Sequence, residues 1–361
     1  MKTVRKKTKQ SGSGKKALIA TGIAAAAAAV CAGAVKGAEK IIVEEALDRN
    51  EPETMKKAKE RIAGKVMTEE EKELLRQNDE RRAVLESAPT ERVEIAALDG
   101  TLLVGHLYRA EEEKRILVAM HGWRSTWASD FAAIADFFRN NGCTVLYPEQ
   151  RGQGESEGEF MSFGITERYD CVEWAKWADA NCAPGLPIYL VGLSMGASTV
   201  LMASGTDGLP ERVRGVLADC GFTSPHEIWQ HVAEDNLKIP YRACEKTVER
   251  DFEKKIGEKP GSFSTVDAME KVKVPILFVH GNADTFVPVD MTYQNYAAAK
   301  VPKRLLIVEG AEHGRSYINN QAAYEEAVLA FFADFDSGEP AEEAKEDLIR
   351  IVPTVGKTSE A

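Results

Sequence analysis

Three short stretches of this sequence carry residues suited to nucleophilic chemistry. Gly192-Leu193-Ser194-Met195-Gly196 follows the apolar run Ile188–Val191 and precedes small residues from Ala197 to Ala203. A serine hydroxyl attacks well only when a base takes its proton. Flanking glycines permit the sharp, strained turn that would lift Ser194 out of a sheet and set it on a helix N-terminus. His280-Gly-Asn-Ala-Asp284-Thr-Phe-Val-Pro288 follows a second apolar run, Pro275–Val279, and offers a loop carboxylate. Gly310-Ala-Glu-His313-Gly314 follows a third, Arg304–Val308, and offers an imidazole. In that set His313 would take the Ser194 proton and pass it to a leaving group. Asp284 would hold the imidazole in the correct tautomer and stabilise its charged form.

The other candidates fit less well. The remaining histidines are 106, 121, 226, 231 and 280. His106 falls in a hairpin, and His226 and His231 in an insertion. His121 and His280 each precede a glycine at a strand end, where a structural hydrogen bond is the expectation. Asp219, closing the run Val213–Ala218, is a rival acid, but Asp219-Cys220-Gly221 reads as a structural strand end. No CxxC pair occurs among Cys31, Cys143, Cys171, Cys182, Cys220 and Cys244, so metal-ligand spacing is absent and neither metal nor cofactor is expected.

Positioning these groups requires strands ending at one rim. Arg115–Met120, Cys143–Tyr147, Pro187–Val191, Val213–Ala218, Pro275–Val279 and Arg304–Val308 are strand-like. Helical periodicity fills the intervals at Asp130–Asn140, Glu167–Ala180, Met195–Ser204, Met291–Ala299 and Ala322–Phe335. That alternation predicts an α/β fold, a mostly parallel sheet with helices on both faces. A hairpin around Asp99-Gly100 adds antiparallel strands at one edge. More than fifty residues separate Ala218 from Pro275, with amphipathic stretches at His226–Leu237 and Tyr241–Lys255. They predict a small helical lid, about residues 222–270, after the sixth core strand. Phe222, Ile228, Trp229 and Leu237 would line an apolar acyl pocket or pack the lid onto the sheet. The order Ser194, Asp284, His313 is that of α/β-hydrolase triads. In such folds the oxyanion hole is made of backbone N–H groups, here those of Trp123, in His121-Gly122-Trp123, and Met195.

Six ordered motifs carry a family likeness: Met120-His-Gly-Trp123, Tyr147-Pro-Glu-Gln-Arg-Gly-Gln-Gly-Glu-Ser156, Gly192–Gly196, Asp219-Cys-Gly-Phe-Thr-Ser224, His280–Pro288 and Glu312-His-Gly314. Over about residues 91–335 the chain resembles bacterial α/β-hydrolases of the serine aminopeptidase-like and cinnamoyl-ester-hydrolase-like groups. Glu149 departs from the usual aspartate of the Pro-Asp-x-Arg-Gly loop, which is structural. The resemblance implies a cofactor-independent serine hydrolase acting on a carboxylic ester, thioester or amide through an acyl-enzyme, with the ester reading ahead of short peptides. For a peptidase, Glu155, Glu157 and Glu159 would be the candidate anchors for a substrate amine. A noncatalytic, membrane-tethered binding protein is the reading from another class.

Composition frames the rest. Apolar residues make up 44% and charged residues 29% of 361, and the net charge is -11, so the body has no general affinity for nucleic acid. Residues 1–16 are basic, whereas residues 17–35 carry no charge and are bracketed by Lys15-Lys16 and Lys36. At a rise of about 1.5 Å per residue such a helix is just long enough for a bilayer core. A retained membrane anchor with a cytoplasmic N-terminus, a cleaved secretory signal and an Ala-rich soluble helix are the readings, in that order. The scattered cysteines suit a reducing compartment better than an oxidising one, against the topology the N-terminus implies. Residues 36–90 read as a charged helical spacer, and residues 336–361 as an acidic, loosely ordered tail.

Overall fold

The computed structural model describes residues 38–50, 69–236, 238, 241–338 and 346–355. The basic segment 1–16, the apolar segment 17–35 and Leu237 lie outside the described residues. Among those described, no helix is long and apolar enough to cross a membrane.

The strands are β1 (Glu91–Ala96), β2 (Leu102–Tyr108), β3 (Arg115–Met120), β4 (Cys143–Pro148), β5 (Ile188–Leu193), β6 (Val213–Asp219), β7 (Ile276–Gly281), β8 (Lys303–Glu309) and β9 (Leu348–Pro353). They form one sheet in the order β1-β2-β4-β3-β5-β6-β7-β8-β9. The β1–β2 hairpin pairs antiparallel at one edge, and every pairing from β4 to β9 is parallel. The helices are α1 (Ala38–Leu47), α2 (Glu69–Glu86), α3 (Trp127–Phe131), α4 (Ala135–Asn140), α5 (Glu167–Asn181), α6 (Met195–Ser204), α7 (Pro225–His231), α8 (Glu245–Ile256), α9 (Thr265–Met269), α10 (Val289–Ala298), α11 (Ser316–Asn319) and α12 (Gln321–Phe335).

Side chains alternate across a strand, so a strand covered on both faces must be apolar throughout. In β3, Ile116, Val118 and Met120 join the core under α5, α6 and α9. Leu117 and Ala119 join the opposite core, with Trp127, Phe131, Phe138, Val328 and Phe332 of α3, α4 and α12. A third cluster lies over the strand ends, where the lid helices α7 and α8 close on Phe163, Phe222 and Met195. Local signals fix the ends of these helices: the Ser224 side chain caps α7, and Ser264 with Asp267 forms a capping box on α9.

Three expectations are corrected. The spacer is not wholly detached, because Val43 and Leu47 of α1 are buried in the lid cluster and Leu85 of α2 is buried on the α3 side of the sheet. The tail is not loose throughout, because Leu348–Pro353 extends the sheet beside β8. The helix expected over Asp130–Asn140 is two, α3 and α4, broken across residues 132–134. No residue there forbids a helix; the break accompanies burial of both Phe131 and Phe138 in one core.

Candidate active site

Ser194 sits between β5 and α6 at φ +56 and ψ -118, a backbone conformation costly for a residue with a side chain. The turn leaves no room beside it. A Cβ on Gly196 would lie 1.9 Å from the Met120 carbonyl oxygen. The sheet therefore presses this turn against the end of β3, and glycine alone fits.

Loops after β7 and β8 bring the other two groups in. His313 Nε2 lies 2.8 Å from Ser194 Oγ, and His313 Nδ1 lies 2.6 Å from Asp284 Oδ2. The second Asp284 oxygen accepts the backbone N–H groups of Phe286 and Val287 at 2.8 and 2.9 Å. Burial pushes the Asp284 carboxyl up, but the His313 charge and hydrogen bonds from both His280 and His313 outweigh it and hold the group well below the usual carboxylate range. Burial draws His313 down, yet the Asp284 charge and hydrogen bond bring it above the ordinary imidazole value. The Phe286 ring stands edge-on to His313 at 5.0 Å.

The expected oxyanion donors flank the serine. A Cβ on Gly122 would stand 3.4 Å from Ser194 Cβ, so the His121-Gly122-Trp123 turn runs beside the nucleophile. Gly122 N donates to Asp130 Oδ2 at 2.6 Å, and Ser125 Oγ donates to Asp130 Oδ1, which fixes the turn. Among the described residues, neither the Trp123 nor the Met195 backbone N–H has an acceptor within the protein. Two free donors beside a hydroxyl can receive a developing oxyanion.

Other candidates go elsewhere. Asp219 makes no hydrogen bond to His313; it accepts from Ser316 Oγ at 3.2 Å, and burial pushes it up to about 6. His121 is structural: its Nε2 accepts from Gln150 N at 3.1 Å. Glu149 faces His106 Nε2 at 2.9 Å and accepts the Glu155 backbone N–H, as a structural loop requires. Glu155 pairs with Arg92 and Glu157 accepts the Leu102 N–H, so two of the three proposed amine anchors are occupied by their own chain. Phe222, Ile228 and Trp229 are buried together in the lid cluster. Cys220, Asp284 and His313 lie close enough to share a cation, but burial and the Asp219 charge push the Cys220 thiol well up, which disfavours the thiolate a metal would need.

Two features escaped the sequence reading. Trp123 Nε1 donates to the Ala46 carbonyl at 2.8 Å, and the Arg124 guanidinium to the carbonyls of Glu45 and Asp48, so α1 holds the turn that carries Trp123. His280 Nε2 lies 3.1 Å from the same Asp284 oxygen that His313 uses. The signal for His280 was present in its place four residues before Asp284.

A model of the prolyl oligopeptidase family matches residues 129–337. An uncharacterized protein of Bacillus subtilis, YqkD, is 27% identical over 194 residues, 54% of this chain and 63% of the relative, so the match spans under two thirds of that protein. The fold is shared with the Pyrococcus furiosus esterase Pf2001, at TM-score 0.56 and 20% identity over 69% of this chain and 92% of that one. It is also shared with a puromycin-hydrolyzing peptidase of Mycobacterium tuberculosis, at TM-score 0.53 and 17% identity, over 74% of this chain but 41% of the peptidase.

Proposed function

The chain belongs to the prolyl oligopeptidase family of serine-type hydrolases, and from that premise we propose that it cleaves carboxylic esters or thioesters through an acyl-enzyme on Ser194. One observation carries the reading: the unbroken line of contacts from Ser194 Oγ through His313 to Asp284, at 2.8 and 2.6 Å. Ser194 Oγ attacks the acyl carbon while His313 Nε2 takes its proton, and the carbonyl π electrons move to the oxygen. The Trp123 and Met195 N–H groups bind that oxyanion. Collapse expels the alcohol or thiol, which leaves with the proton from His313. Water, deprotonated by the same imidazole, then releases the acid and restores Ser194.

The surroundings favour an apolar acyl group. Phe286, edge-on to His313, and Trp123, in the turn beside Ser194, are the partly buried apolar rings nearest the serine, and both pack on the buried lid cluster. A peptidase reading loses support because Glu155 and Glu157 are engaged. It keeps support from the family match, and the two are separated by substrate. Acyl nitrophenyl esters should turn over faster than aminoacyl anilides, with both rates lost in Ser194→Ala. Faster anilide cleavage would favour the peptidase. Residues 17–35 are proposed as a membrane anchor, on their uncharged length and flanking lysines.

A further inference from the structure

We infer that His280 is a second imidazole of this site, a positioning residue that donates to the Asp284 carboxylate and sets the basicity of His313. The inference rests on the serine-hydrolase reading for its consequence, but its geometry stands alone.

His280 is the penultimate residue of β7 and is fully buried. Its Nε2 faces two acceptors and no donor, namely Asp284 Oδ2 at 3.1 Å and the Val287 carbonyl at 3.0 Å. Nε2 must therefore carry the hydrogen. Its Nδ1 faces the Thr292 hydroxyl of α10 at 2.7 Å, which can donate to it. Thr292 is itself buried, so one tautomer is enforced from both ends. The chain of contacts runs Thr292, His280, Asp284, His313, Ser194.

Asp284 Oδ2 thus accepts from two imidazoles, while Oδ1 accepts two backbone N–H groups. Each donor draws charge from the carboxylate. The His280 bond falls on the very oxygen that attracts the His313 imidazolium, and so limits how far that attraction raises His313. It also removes a degree of freedom, since Oδ2 cannot swing away from His313 without leaving His280. Other ionisable groups around His313 are Asp219 and Cys220 at the end of β6 and Asp130 of α3; Tyr324 of α12 acts on Asp219. None of these four donates to Asp284 in place of His280.

The test uses three variants of the full chain. In His280→Phe a ring remains but the donor is gone. In His280→Gln the side-chain amide can reach the place of Nε2. Thr292→Val removes the group that fixes the tautomer. The acid limb of kcat/KM against pH reports His313 in the free enzyme. In His280→Phe that limb should move up by about half to one pH unit, with the plateau of kcat/KM about tenfold lower. His280→Gln should return most of both, and Thr292→Val should lie between. NMR titration of the His313 ring in the same proteins gives the shift without any turnover. An upward shift there supports the role of His280 even if no substrate is cleaved, so failure of the hydrolase reading stays distinguishable. A limb and a ring titration unchanged in folded His280→Phe and in Thr292→Val would overturn the inference and leave His280 as packing alone.

Discussion

Replacing Leu47 by alanine asks whether the N-terminal helix belongs to the working domain. Leu47 is fully buried on the lid cluster, and its carbonyl accepts the Met161 N–H at 2.7 Å. The substitution leaves that backbone bond and removes three carbons from a packed apolar site. Transfer of those carbons costs roughly 2.4 kcal/mol, and the residual cavity brings the total to about 3 kcal/mol. For a domain of this size that is a fall in Tm of about 6–12 °C, read by calorimetry. If α1 instead undocks while the rest stays folded, Tm moves less and limited proteolysis cuts after residue 37 faster than in wild type. Either outcome loosens the ties from Ala46, Glu45 and Asp48 to Trp123 and Arg124, and kcat should fall. Unchanged Tm, proteolysis and kcat together would refute the view that α1 is part of the catalytic unit.

Other expectations follow from the same contacts. Trp123→Phe keeps the backbone donor but loses the indole bond to Ala46, so kcat should fall about fivefold with KM within twofold; a change in KM alone would count against the positioning role. The base must be neutral to act, and His313 lies above its ordinary value, so kcat/KM should decline as pH falls through a midpoint above about 6.5. A flat profile down to pH 5 would contradict that sign. The anchoring proposed for residues 17–35 predicts that the full chain stays in membranes through alkaline carbonate extraction while a chain starting at Lys36 is released; release of both argues for cleavage or a soluble helix.

The meeting of Ser194, His313 and Asp284 was legible because each lies in a local motif. Ser194 follows β5 directly, Asp284 and His313 lie in the loops after β7 and β8, and parallel strands deliver their following loops to one rim. The lid was readable from the length between Ala218 and Pro275. What was missed depends on tertiary contact. Helix α1 reads Ala-Glu-Lys-Ile-Ile-Val-Glu-Glu-Ala-Leu, a charged sequence whose Val43 and Leu47 gain a partner only once α8 and Phe163 are in place. Strand β9, Leu-Ile-Arg-Ile-Val-Pro, is a short and mostly exposed apolar run behind an acidic stretch, and it becomes a strand by pairing with the open edge of β8. For His280 the sequence offered a structural hydrogen bond and a place four residues before Asp284, but not the partner; that follows from Asp284 Oδ2 lying within reach of two imidazoles.

The most direct test is where a serine-reactive phosphonate lands. Wild-type protein treated with a fluorophosphonate should gain one adduct, located by peptide mass spectrometry on Ser194, with labelling strongly slowed in His313→Ala. An adduct on any other residue, or undiminished labelling of Ser194→Ala, would contradict the account.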